Sequence, residues 1–441
     1  MGVVDVDDYL NFVANASLGA GVEAGSNIGC AVVADRSGHS VVVEIEGGGG
    51  FVEQLAQHPL GDSVAPCSND TSANWYIADG FTREDSVETL ILSNPFDEAV
   101  VARLRFSSET REAQPSELGG FTVLPRSVRT ITIAELGARD EPIISVAVEA
   151  TSGRLVVGRV QEYRGARVGY DVSLAAPELR DQWWFADGER TEGVTETFSI
   201  YNPTDDEVEV TVFFGGLPLE ASAVNEGDPI IVPPLRAVIF DPTENRAEIV
   251  EGEPAGDAQA EPEGQGEDEA TDESGDSDDF VELQPPSTDL PEGRHATVFS
   301  TLAQPSIVVE RILTRPAGGS IATSVVLGAP PRPDGFVPNT WHMGIGPTVP
   351  TEQALVVYNI DQVEAAITVS VVGPDGPSAI PSLTDVALPS GSIITVDLVD
   401  EDVLGREIIV VSSSRVFVER SLPRGNDLPG RSGSWLLPQS G

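Results

Sequence analysis

The sequence predicts an all-β fold, with three tandem Ig-like β-sandwich repeats preceded by an N-terminal partial β unit. Three observations predict it. The first is a stretch written three times with its landmarks in step. Trp75, Trp183 and Trp341 are each followed five positions later by a glycine, Gly80, Gly188 and Gly346. An asparagine follows each Trp after 19, 19 and 18 positions (Asn94, Asn202, Asn359), and a proline follows each Asn after 31, 31 and 30 (Pro125, Pro233, Pro389). The second is composition: Gly 44 and Pro 33 are high and the apolar positions are rich in Val and Ile, which suits short strands joined by many turns. The third is that no segment of helical length carries an apolar period, while each repeat of about 105 residues holds short apolar runs separated by turn residues. A chain of 441 residues also exceeds what one core accommodates.

Residues 1–73 read as the tail end of an earlier copy. Cys30–Glu44 has the outline of Val146–Val157, a strand, a Ser-Gly turn and a second strand, which is a hairpin signal. The stretch before Asn27 has no clear period and reads as loosely packed or a short helix, and Gly47–Gly50 as a flexible loop. Repeat 1 spans 74–180. Its strands Thr89–Ser93 and Val100–Phe106 flank Asn94-Pro95-Phe96-Asp97, where Asn bonds the backbone two residues on and Pro presets φ. Arg103 and Arg105 alternate with Leu104 and Phe106, one face wet and one buried.

Repeat 2 spans 181–335 and keeps the plan, except that Pro125 to Arg159 is 34 positions and Pro233 to Arg311 is 78. The excess lies at about 245–290, where Glu248–Glu282 contains 15 acidic and no basic residues. Such a segment cannot bury enough apolar area to offset its ordering entropy and is expected to be disordered, with at most weak divalent-cation binding. Repeat 3 spans 336–441. There Ile360 replaces the Pro after Asn, His342-Met343 replaces the aromatic pair after Trp, and the last strand is expected to be whole.

The net charge is −46, and all 25 basic residues are Arg. Such a field repels nucleic acid and anionic lipid, so both are discounted as partners. No run of 18 apolar residues is present, and the N-terminus lacks the basic and apolar regions of a signal peptide. The start is therefore expected to be either cytosolic or displaced from the true one. The two cysteines, Cys30 and Cys67, favour displacement, because a disulfide closing that loop implies an oxidising compartment. Two reduced, buried thiols are the alternative. The four histidines have no metal spacing, and no metal or other cofactor is expected.

Trp75, Trp183 and Trp341 read as core plugs, since a residue repeated in every unit is more economically structural than ligand-binding. Trp184 is extra to the pattern and is the candidate exposed platform for stacking a sugar. Arg159, Arg311 and Arg420 close matching strands and read as buried or inter-repeat salt bridges. Asn94, Asn202 and Asn359 read as repeated structural turn residues. Asp79 and Asp187 lie in an Ala-Asp-Gly turn that becomes Gly-Ile-Gly in repeat 3, so turn chemistry suffices there. Nucleophile elbows, phosphate loops and zinc-protease motifs are absent from the sequence, and no catalytic residue is assigned.

The combination Trp-x-x-Ala-Asp-Gly, Leu-x-Leu-x-Asn-Pro and Val-Val-x-Arg resembles the domain-of-unknown-function 5719 family of actinobacterial secreted and envelope proteins. It is carried by Trp75–Arg159 and Trp183–Arg311, and more weakly by Trp341–Arg420. The resemblance implies export to the cell envelope, with any membrane attachment through a segment this chain does not contain. It carries over no catalytic residues. The expected role is a non-enzymatic extracytoplasmic scaffold or recognition module, with an envelope glycan or another envelope protein as partner. The alternative is a carbohydrate-binding module accessory to envelope polysaccharide assembly.

Overall fold

The computed structural model describes residues 15–17, 27–34, 39–44, 51–68, 71–108, 112–113, 115, 118–216, 229–243, 246–249, 290, 292–301, 304–331, 337–344, 353–373, 376–399, 401–425 and 428–438. The strands of the N-terminal unit are β1 (Asn15–Ser17), β2 (Asn27–Ala34), β3 (His39–Glu44), β4 (Phe51–Ala56) and β5 (Ser63–Pro66). Repeat 1 contains β6 (Asn74–Ile77), β7 (Val87–Asn94), β8 (Val100–Ser108), β9 (Glu112–Ala113), β10 (Phe121–Val123), β11 (Ser127–Thr132), β12 (Ile144–Ser152), β13 (Val156–Tyr163) and β14 (Arg167–Leu174). Repeat 2 contains β15 (Gln182–Arg190), β16 (Thr195–Asn202), β17 (Val208–Gly215), β18 (Ile230–Val232), β19 (Arg236–Asp241), β20 (Arg246–Ile249), β21 (Gly293–Ser300), β22 (Val308–Ala317) and β23 (Ser320–Leu327). Repeat 3 contains β24 (Thr340–Met343), β25 (Ala354–Asn359), β26 (Ala365–Gly373), β27 (Gly376–Ala379), β28 (Val386–Leu388), β29 (Ile393–Asp397), β30 (Ile408–Ser412), β31 (Val416–Pro423), β32 (Arg431–Trp435) and β33 (Leu437–Pro438). No α-helix occurs among the described residues.

Each repeat is two antiparallel sheets face to face. In repeat 1 these are β10-β8-β12-β6, with β9 on β8, and β11-β7-β13-β14. Their alternation is visible in β8, where Val100, Ala102, Leu104 and Phe106 point inward and Val101 and Arg103 outward. The second sheet does not stop at the repeat. β14 pairs in parallel with β23 through Arg167–Ile321 and Val168–Ala322, so nine strands run on through β22, β16, β19 and β20. Repeat 2 is completed by β15-β21-β17-β18, and repeat 3 by β29-β25-β31-β32 and β27-β26-β30-β24-β33. The expected disordered insertion lies outside the described residues, apart from Arg246–Ile249, which pair with β19, and Leu290, which is buried. The stretch before Asn27, expected to be loosely packed or a short helix, is described only at Asn15–Ser17, which form a strand paired with β4 instead of a helix, and the loop at Gly47–Gly50 lies outside the described residues.

Two side chains set each sandwich. Trp75, Trp183 and Trp341 fill the centres, and each indole must place its N–H once buried. They donate to the carbonyls of Leu155 (3.1 Å), Ile307 (2.8 Å) and Val416 (2.8 Å), at the start of the facing strand each time. The Asn amide is a second lock. Asn94 Nδ2 donates to the carbonyls of Glu98, Val123 and Leu124, while its Oδ1 accepts the Phe96 amide. Asn202 and Asn359 repeat this arrangement, each binding the turn it opens and the end of the facing strand, through the carbonyls of Val232 and Pro233 and of Leu388 and Pro389. This is why Asn keeps a nearly constant distance from that strand end, whose last bonded residue is Leu124, Pro233 or Pro389.

The units close into a ring. One strand near the end of each unit, β5, β14, β23 and β32, packs successively round a common axis, and β32 meets β5 again. They surround a narrow cavity to which each contributes three consecutive residues, among them Val64, Ser173, Val326 and Ser434. The N-terminal unit is thus a ring member. β2 and β3 form the expected antiparallel hairpin. The strand standing in for β13, however, is β4, one strand later than the outline of Cys30–Glu44 indicates, because a generic strand-turn-strand pattern does not fix register.

Replacing Asn94 tests the lock. Asn94→Ala is expected to cost about 2–3 kcal/mol through lost bonds to buried carbonyls. Asn94→Asp should cost at least as much, since it places an oxygen against three carbonyl oxygens. Urea denaturation checks both, and an Asp variant as stable as wild type would contradict the lock.

Candidate functional site

The most elaborate chemistry in the molecule lies at the seams between units. In the first seam Glu310 of β22 reaches into repeat 1. Its Oε2 accepts the amides of Ala78 (2.9 Å) and Asp79 (2.6 Å), and its Oε1 accepts Arg159 Nη2 at 2.8 Å. Arg159 is anchored in turn by Ser173 Oγ (3.1 Å) and the Asp79 carbonyl. In the second seam Glu419 of β31 accepts the amides of Ala186 and Asp187, both at 3.0 Å, and a bond from Arg311. In the third, Glu53 of β4 accepts the Gly344 amide at 2.7 Å, with Arg420 Nη1 3.6 Å away. Arg420 also donates to Gln353 Oε1 at 3.0 Å.

The Ala-Asp-Gly motif is therefore a cradle as well as a turn. β6 ends at Ile77, and the pairing of β15 with β21 shifts register between Phe185 and Gly188. Residues that leave a ladder have free N–H groups requiring an acceptor. The next unit's carboxylate supplies it, at the positive fork of the repeat's own Arg. Arg159, Arg311, Arg420, Glu310, Glu419 and Glu53 are all buried. The fourth seam, between the N-terminal unit and repeat 1, has Gln54 at the Arg position and Gly158 at the Glu position. It is held instead by apolar contact of Ala56 and Ala65 with the core of repeat 1, and by Ser63 Oγ, which accepts the Val172 amide at 3.0 Å. Arg424 from repeat 3 also reaches it, donating to Asp171 (3.1 Å) and to the carbonyls of Tyr170 and Leu60.

Further charges sit behind these contacts. Asp187 is bound by Arg431 at 2.7 Å and lies 3.4 Å from Arg294, while Glu189 bonds Arg315 and Arg431. Asp79 is pushed up to about 6, by burial first and then by Glu310, with Arg159 and Arg167 opposing. Glu88 is pushed up to about 8, chiefly by burial. Burial likewise raises Glu53 and Glu419, each partly offset by its Arg. Arg420 is held low by burial, incompletely countered by Glu53.

Trp75, Trp183 and Trp341 are in the cores, and Asn94, Asn202 and Asn359 hold the turns. Trp184 corrects the sequence reading. It offers no open platform, but stacks on Phe417 of repeat 3 at 4.9 Å and lies against Tyr358 at 6.1 Å. Its neighbour Trp183 faces inward, so strand alternation turns Trp184 out of its own sandwich and into the seam. Among the described residues no cysteine is free, and no group of three His, Cys, Asp or Glu is placed to hold a metal. No helix among them is long and apolar enough to cross a membrane.

The acidic partners escaped the sequence reading, although a signal for them exists. Glu is present at one position of the N-terminal unit, repeat 2 and repeat 3, and Arg at the next position of repeats 1, 2 and 3. That offset by one unit marks a link running from each unit to the following one.

Residues 60–180, which hold β5 and all of repeat 1, match the model of a family of unknown function, DUF5719. No curated protein matches the chain. Among solved structures, the crystal structure of Thermotoga maritima 1070 is similar at 16% identity, over 25% of this chain and 97% of that one, with a TM-score of 0.22.

Arg159→Met is expected to cost about 3–5 kcal/mol, because it leaves Glu310 buried and unpaired. Adding Glu310→Gln to it should restore part of the loss, since the amide oxygen still accepts from the cradle without a charge. A double variant no more stable than the single one in urea denaturation would show that the charge is not what matters.

Proposed function

We propose that this chain is a non-enzymatic, exported protein of the cell envelope whose closed ring of β units serves as a scaffold or recognition module. The observation that supports it is where the buried charges go. Arg159, Arg311 and Arg420 and their acids hold units together rather than converging on an open cleft where a substrate would meet them. The axial cavity is narrow and mainly apolar, which suits packing more than chemistry. A rigid ring with a net charge of −46 suits a protein partner bearing positive charge. The glycan-binding alternative rested on an exposed aromatic, and Trp184 is not one. Export fits an oxidised pair of Cys67, which is buried, with Cys30.

Two measurements bear on this reading. The purified chain is expected to pellet with isolated actinobacterial cell walls that retain their proteins, and to stay in solution after the walls are stripped with protease. Equal pelleting with stripped walls would move the reading to glycan, and none with either would remove the envelope assignment. Reduction of the cysteines is expected to lower stability by about 3–4 kcal/mol. Unchanged urea midpoints with and without reductant would withdraw the support that a disulfide gives to export.

A further inference from the structure

One buried position, six residues before each Asn lock, is solved in three ways. It is Glu88 in repeat 1, Glu196 in repeat 2 and Gln353 in repeat 3, all at most 1% exposed. Gln353 is neutral and accepts from Arg420. Glu196 lies 2.7 Å from His295 Nε2 and 3.8 Å from Arg311 Nε. Glu88 has neither resource. Opposite Gly188 in repeat 2 stands His295, but opposite Gly80 in repeat 1 stands Ile144.

Neither carboxyl oxygen of Glu88 has a hydrogen-bond partner among the described residues. The group presses on Gly80, where a Cβ would not fit. Across β13 it faces Gln161, whose amide is committed to the Phe81 backbone. The charged groups acting on it are Arg159 of β13, Asp79 of the cradle and Glu310 of β22. Arg159 is already bonded to Glu310, Ser173 and the Asp79 carbonyl. Of the three carboxyls, Asp79 also has Arg167, and Glu310 holds Arg159 by direct bonds, so a charge on Glu88 would be the one left unpaired.

We infer that Glu88 is carried as a neutral acid, and that its loss of a proton loosens the seam between repeats 1 and 2, making that seam a proton-operated joint. The direction follows from the site. A carboxyl lifted to about 8 keeps a proton that the unfolded chain releases near its ordinary 4.5. The stability it contributes is whole below the unfolded value and declines as pH rises, until about 8, where it levels. Asp79, lifted to about 6, adds in the same direction at lower pH. The neutral amide of Gln353 shows that the fold accepts an uncharged group at this position, so Glu88→Gln retains the packing and removes the proton.

The test is hydrogen exchange of the Ala78 and Asp79 amides, the two that hold Glu310, in the full chain, corrected for the intrinsic pH dependence of exchange. In the wild type their protection is expected to fall by at least about tenfold between pH 6 and pH 9, since one unit of pKa shift is a factor of ten. In Glu88→Gln that fall should shrink to little or nothing. An equal fall in both proteins overturns the inference. Should the variant not fold, isotope-edited infrared spectra of glutamate-labelled wild type decide it. A protonated carboxyl band at pH 7 that disappears by pH 9 supports the joint, and its absence at pH 7 overturns it.

Discussion

A carboxylate removed from water must be met by donors or give up its charge. The architecture rests on three that are met. Each of Glu310, Glu419 and Glu53 receives backbone N–H groups that the neighbouring unit's own sheet has released, together with or close to an Arg from that same unit. The arrangement solves two problems at once. Amides that left the ladder find an acceptor, and a guanidinium with no access to solvent finds its counter-charge. Since donor and acceptor come from different units, neither is satisfied until the units dock, and docking is confined to one register.

The apolar side follows the same boundaries. Phe81 and Tyr163 of repeat 1 pack with Ile312 and Val325 of repeat 2, and Leu422 of repeat 3 with Leu55 and Val64 of the N-terminal unit. These clusters are small beside the cores around each Trp, so polar pairing supplies direction and apolar contact supplies area. The parallel pairing of β14 with β23 reaches only two residue pairs. A ring, unlike a continuous sheet, needs its neighbours to turn about an axis, and a short pairing permits that turn.

Much of the fold was legible in the sequence because it is local. The Trp, Asn and Pro landmarks recur because the indole N–H, the Asn amide and the turn are satisfied inside one sandwich, at fixed separation along the chain. The seams were legible only in part, because their partners are far apart in sequence: Arg159 and Glu310 are 151 positions apart, and Glu53 and Arg420 are 367 apart. Trp184 misled for a related reason. On an isolated sandwich its position faces outward, as do those of Tyr76 and His342, but in a ring outward from one unit is inward to the next. Glu88 could not be separated by sequence from the other acids of the chain, since what sets it apart is an Ile where repeat 2 has a His.

The closure of the ring by its first unit bears on the order in which the chain is made. Glu53 and β5 emerge from the ribosome before Arg420, Leu422 and Arg424, which complete their surroundings. Repeats 1 and 2 can dock as soon as both exist. The N-terminal unit therefore carries a carboxylate and an apolar strand that stay uncovered until repeat 3 has been made, which makes this the contact of longest sequence separation in the ring.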